Sequence, residues 1–368
     1  MRKNTRKLPF GKCVPLFVIV PLLLLSGCKP SNYQQTESPV SVRLLSEVKV
    51  SGEAEGFVYL YDENGNLLEY RTLSGDTVEQ AEKYTYDDQG NRLTASSYTS
   101  GDRPDSRWEY TYDKNGNQLS CRCFTAAGVM EHNNTYTYDD AGRILSESSL
   151  DADGTLRSKT VYSYDSAGHT LTVENFDSNE VCQSRTQWSY DEKGNPLTQE
   201  YYEAGSLIYR YLNTFDQNGN LLSTVHESDG KIIDSNEYTY DAEGNMLSRR
   251  YLDSGELRYQ YAYTYGSAGE LLEESVENSD GSFFSRTVYT YDASGRQLSK
   301  EFTGTSRQYR LEWTYDESGN LLSYTELDSA GEPVCRIELS YTDLTLPPET
   351  AARCREQQEK LLSELLPE

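Results

Sequence analysis

Two hydrophobic regimes divide the chain. Cys13 to Leu25 is an apolar run interrupted only by two prolines. From Val40 onward such runs disappear, and aromatic residues alternate with polar ones in short stretches such as Tyr110-Thr-Tyr112 and Tyr238-Thr-Tyr240. Side chains on a strand point to opposite faces with period two, so this alternation predicts β-strands that carry their aromatics on one face.

The aromatic pairs recur at a nearly constant interval. With the second aromatic as position zero, copies fall at Tyr61, Tyr86, Tyr112, Tyr138, Tyr164, Tyr190, Phe215, Tyr240, Tyr265, Tyr291 and Tyr315, spaced by 24 to 26 residues, with a degenerate copy at Tyr341. An aromatic stands two residues earlier in every copy except that of Asn213, and aspartate follows in every copy except that of Gly266. Glycine at position four and leucine at position seven are invariant across the eleven copies. Regularity of this kind marks tandem repeats.

One unit can be read physically. Aspartate caps a type I turn through its side chain, and glycine takes the positive φ that other residues resist, so Asp-x-x-Gly-Asn predicts a hairpin. A second, looser turn closes each unit, as at Asp151-Ala-Asp-Gly154 and Asp253-Ser-Gly255, which gives two strands per repeat. A lone hairpin is marginal in water, but a tyrosine buries about 150–250 Å², so stacking equivalent tyrosines and leucines would build a continuous ladder. The predicted fold is all-β: tandem antiparallel β-hairpins forming an elongated, twisted or spiral sheet. Val40 to Val50 starts that sheet, and Pro347-Pro348 stops the last strand. Glu349 to Leu366 reads as a helix with Leu361, Leu362, Leu365 and Leu366 along one side, a cap over the last strand's open edge.

The motif Y-x-Y-D-x-x-G-N-x-L, as in Tyr110-Thr-Tyr-Asp-Lys-Asn-Gly-Asn-Gln-Leu119, resembles the YD repeat of RHS (rearrangement hot spot) proteins, found also in wall-associated proteins and teneurins. The resemblance covers residues 57 to 343. It implies a spiralling antiparallel sheet, which in large members encloses a C-terminal toxin and in shorter members has been linked to carbohydrate binding. Neither a D-P-x-G core motif nor a toxin domain follows the repeats here, so the expectation is the short form.

The start of the chain supplies an address. Arg2, Lys3, Arg6, Lys7 and Lys12 precede the apolar run, which is short against the about 20 residues of a membrane span and suits a cleaved signal. Leu25-Ser26-Gly27-Cys28 resembles a bacterial lipobox, which implies cleavage before Cys28 and a diacylglycerol on its sulfur. Residues 1–27 are then the signal peptide, 28–40 a polar tether, 41–343 the repeat domain and 344–368 the cap. The expected location is the extracytoplasmic face of the cell membrane, or the outer membrane where the envelope has one. Two or three acyl chains at about 0.8 kcal/mol per CH₂ hold without a protein partner.

Charge narrows the partners. Cleavage removes five basic and no acidic residues, leaving 29 basic against 59 acidic and a formal charge of −30, which argues against nucleic acid. Beyond Cys28 the cysteines are Cys121, Cys123, Cys182, Cys335 and Cys354, an odd number that cannot all pair. Cys121 and Cys123 read as small buried residues of one strand face with no nearby histidine to complete a zinc site, and a Cys335–Cys354 bridge would tie the last hairpin to the helix. His132, His169 and His226 lie in different repeats and assemble no triad, so neither enzymatic activity nor a cofactor is expected. Asp62, Asn64 and Asn66 resemble a calcium loop only superficially, because glycine comes at the fourth place and the turn explains every residue.

A basic residue recurs five before zero: Arg107, Lys159, Arg185, Arg210, Arg286, Arg310 and Arg336. Stacked, these would form a cationic row, paired across strands with glutamates or lining a groove for an anionic or sugar ligand. The expected function is a non-enzymatic surface module that binds a glycan or a protein, with a structural spacer or envelope scaffold as the alternative.

Overall fold

The computed structural model describes residues 38–51, 55–99 and 104–365. The expected signal peptide, Cys28 and nearly all of the expected tether lie outside the described residues. The described chain forms a single sheet of 24 antiparallel strands and one helix, α1 (Pro348–Leu365).

Each repeat contributes two strands, and each strand pairs with its neighbours in the chain. Strand β1 (Val40–Ser51) pairs with β2 (Glu55–Tyr61) on one side and with β24 (Pro333–Leu346) on the other, from Val40↔Leu346 to Ser51↔Arg336. The sheet therefore closes into a 24-stranded barrel, and the elongated or spiral sheet expected from the repeat is corrected. The physical reason is that, among the described residues, β1 has no hairpin partner before it and β24 none after it, so pairing the two satisfies both open edges. Helix α1 accordingly covers no edge. It lies over the β24–β1–β2 seam, where Ala351 and Cys354 are buried with Val42, Leu44 and Leu346, and Leu361 and Leu362 pack on the main core. At a register shift in β1 the amide of Leu45 donates to Gln358 Oε1 at 2.7 Å. Leu366 lies outside the described residues. Neither Cys335 nor Cys354 is in a disulfide, so no bridge ties helix to hairpin.

The turns work as their chemistry dictates. In the unit of Asp113, Oδ1 accepts the amides of Asn115 and Asn117, and Oδ2 accepts from Asn117 Nδ2 at 2.9 Å. The invariant glycines have φ between 76° and 97°. Where Gly266 replaces the aspartate, the Glu270 carboxylate folds back into the vacated space and accepts the Ala268 amide at 3.0 Å.

Tyrosine at position zero joins units to one another. Its hydroxyl donates to the backbone carbonyl 16 to 20 residues earlier, in the preceding unit, at 2.6 to 3.0 Å in every copy that has a tyrosine. Phe215 has no hydroxyl, and there Asn213 Nδ2 donates to the equivalent carbonyl of Pro196 at 2.9 Å. The two exceptions in that repeat are one compensated exchange.

The invariant leucine does not join the tyrosines. A register shift between positions minus one and zero inserts an extra residue in the hairpin, so positions seven and eight share one face, opposite to positions six and nine. Leu321 is 5% exposed in the tyrosine core, whereas Leu322 is 41% exposed. The sheet thus has a tyrosine face, where the core cluster and α1 sit, and a threonine face that carries the leucine row.

Staple and turn can each be tested. Tyr164→Phe should lower stability by about 1 kcal/mol in urea denaturation, and adding Tyr162→Asn should recover part of it by reproducing the Asn213–Phe215 arrangement. Hydrogen bonds from the neighbouring asparagine, then from backbone amides, hold Asp113, Asp191, Asp216 and Asp241 below the usual carboxylate range. A lowered folded value means stability that is fully present above the unfolded value of about 3.9 and lost as pH falls through the folded one. Acid titration followed by circular dichroism should show unfolding setting in below about pH 4, and Asp→Asn at these four positions should flatten that dependence.

Candidate functional site

The structure places the arginine row on the threonine face, away from the position-zero tyrosines. Arg107 pairs with Glu109, Arg210 with Glu227 at 2.6 Å, Arg286 with Glu273 at 2.7 Å and Arg310 with Glu312 at 2.9 Å. Arg185 lies over the ring of Tyr202, its cross-strand partner, 4.6 Å from the centroid. Adjacent units are two strands apart, so neighbouring members of the row stand about 10 Å from one another and do not converge on one ligand atom.

A different constellation does converge, on the tyrosine face between β13 (Pro196–Glu203) and β18 (Glu256–Tyr265). Tyr201 stacks on its cross-strand partner Tyr209, ring centroids 5.0 Å apart, and Tyr209 meets Tyr211 edge-on. Tyr211 stacks on His226 at 4.7 Å, and His226 Nδ1 lies 3.0 Å from Asp234 Oδ2. Arg249 Nε donates to Asn236 Oδ1 at 2.8 Å while its guanidinium lies over the Tyr261 ring. Tyr251 stacks on Tyr259, which in turn touches Phe284.

The cross-strand pairs occupy opposed or diagonal positions on adjacent strands, where side chains share a face and lie within reach. The result is a track of aromatic rings interrupted by a carboxylate, an amide and a guanidinium, about 24 Å across its six strands. From Tyr201 to Tyr261 its members are half-buried. Burial pushes the Glu274 carboxyl above the usual range against the pull of Lys300 and Arg249, and burial with that carboxylate nearby pushes the Tyr263 hydroxyl up to about 12.

None of the track residues belongs to the repeat consensus. Their signal in the sequence is a cluster of aromatics in neighbouring copies, such as Tyr209, Tyr211, Tyr259 and Tyr261, at positions that several other copies fill with threonine, serine or asparagine. Cys123, which has no histidine near it at zinc-site spacing, does have one close in space: His132 is its cross-strand partner. Both oxygens of Asp62 are engaged within its own turn, by the Asn64 and Asn66 amides and by Asn66 Nδ2.

Residues 41–212 match the family model described as Teneurin YD-shell, and residues 180–262 and 211–339 match one described only as an uncharacterised protein. No curated protein matches. Among solved structures, TcdB2-TccC3 without its hypervariable C-terminal region is 15% identical over 76% of this chain and 17% of its own, with a TM-score of 0.34. The Photorhabdus luminescens Tc holotoxin pore is 13% identical over 76% of this chain and 19% of its own, TM-score 0.28. A porin-like protein from Bacteroides uniformis is 12% identical over 63% of this chain and 93% of its own, TM-score 0.26. The chain thus spans about a fifth of the length of the toxin chains it matches.

Proposed function

This chain is a YD-repeat protein, and on that premise we propose that it is a lipid-anchored, non-enzymatic module that binds a glycan on the extracytoplasmic face of the envelope. The observation that supports this reading is the aromatic track. A sugar's apolar face stacks on a ring while its hydroxyls take hydrogen bonds, and the track alternates rings (Tyr201, Tyr209, Tyr211, Tyr251, Tyr259) with polar groups (Asp234, Asn236, Arg249). The repeat consensus does not need these rings, since turning and stapling use other positions. A scaffold without a ligand is the second reading, favoured by the closure of the sheet, which leaves no strand edge for a partner.

A glycan array separates the two. The wild-type protein should bind a subset of glycans, and a triple variant Tyr201→Ser, Tyr209→Ser, Tyr251→Ser should lose that binding. Arg185→Ser, Arg210→Ser and Arg286→Ser, on the other face, should leave it unchanged. Loss in the arginine variant alone would move the site to the row. No glycan bound by the wild type would leave the scaffold, or a surface protein as the ligand. Anchoring has its own check: Cys28→Ser should abolish radiolabelled fatty-acid incorporation and leave the precursor unprocessed, and continued labelling would refute the assignment.

A further inference from the structure

Strands β7 (Gln118–Thr125) and β8 (Met130–Tyr138) are joined by a tight turn in which the Gly128 amide donates to the Thr125 carbonyl at 2.9 Å. Their register sets Cys121 opposite Asn134 and Cys123 opposite His132, then shifts so that Phe124 faces Met130. The shift leaves Glu131 as an extra residue beside His132, and a bulge of this kind turns consecutive side chains toward one side. The outcome is measurable: Cys123 Sγ lies 3.7 Å from Glu131 Oε2, and the donor atoms of Cys123, Glu131 and His132 all fall within 4.8 Å of one another.

We propose that Cys123, Glu131 and His132 form a binding site for a divalent cation of the zinc class. Thiolate, imidazole and carboxylate together form a borderline-soft donor set, which suits zinc rather than magnesium or calcium. Bonds of about 2.3 Å to sulfur and about 2.0 Å to oxygen in a tetrahedron put those two atoms about 3.5 Å apart, close to the observed separation. Two anionic donors balance the charge of the dication.

Three protein donors leave a fourth coordination position. Asn134 stands two residues from His132 on the same face, and its Oδ1 is buried without a hydrogen-bond partner among the described residues. With a metal bound, that oxygen would accept from a water on the fourth position. Cys123 is 5% exposed and Glu131 is exposed, so the site is anchored in the core and open on one side.

Cobalt(II) is the probe. Added to the reduced, purified protein, it should give a thiolate-to-cobalt charge-transfer band that saturates at equimolar metal and is bleached by zinc. Cys123→Ser should abolish the band, and His132→Ala and Glu131→Gln should each weaken binding by about tenfold or more. Cys182→Ser, at an exposed thiol in another unit, should leave it intact. Circular dichroism on each variant checks that strand content is retained. A wild type with no band overturns the site. So does a band that survives in Cys123→Ser, or one lost from a folded Cys182→Ser protein.

Discussion

The hydrogen bond from a tyrosine hydroxyl to a carbonyl of the preceding unit is the constraint on which the sheet rests. Turns can be made by any Asp-x-x-Gly segment, but a turn organises only its own hairpin. The staple adds a side-chain tie to the backbone pairing between one hairpin and the next, because the phenol must span the gap between units and end on a particular oxygen. Its importance is clearest where it is missing. In the unit that carries Phe215, the residue two places earlier is an asparagine, and its amide reaches the same kind of acceptor. An unmet carbonyl in a half-buried sheet costs about 1–3 kcal/mol, which is enough to couple the two substitutions.

Meeting the structural requirement at so few positions releases the others. Near the seam, the tyrosine face is covered by α1 and packed with Tyr59, Tyr70, Tyr84 and Tyr324. Farther around the barrel the same face carries His226, Asp234, Arg249 and the rings of the track, and burial falls to half. One face of one sheet thus grades from a core into a surface decorated with chemistry, without any change in backbone design.

How much of this could be read from the residues depends on how far each interaction reaches along the chain. The turns were legible because aspartate, glycine and asparagine act within five residues of one another. The staple was not, because its acceptor is a backbone atom in another unit and leaves no side-chain signature. The invariance of leucine suggested burial, yet nine of the eleven are 37% to 42% exposed, because the bulge that reverses their direction is a backbone event. The same kind of event brings Glu131 and His132 to Cys123, which no spacing rule for metal ligands anticipates. The arginine row was legible as a row; its separation from the tyrosine face again needed the register. Closure depends on pairing Val40 with Leu346, a partner about 300 residues away that repeat periodicity says nothing about.

That closure turns parity into a constraint. An antiparallel sheet can return to its first strand only if the number of strands is even, since an odd count would bring the last strand back parallel to the first. Here two single strands, β1 and β24, flank eleven two-stranded units, which keeps the total at 24. Gain or loss of a whole repeat preserves evenness and changes only the circumference, so tandem duplication is a permitted step in the history of such a gene. Gain or loss of one strand is not, and the interval of evolution in this architecture is therefore the hairpin rather than the strand.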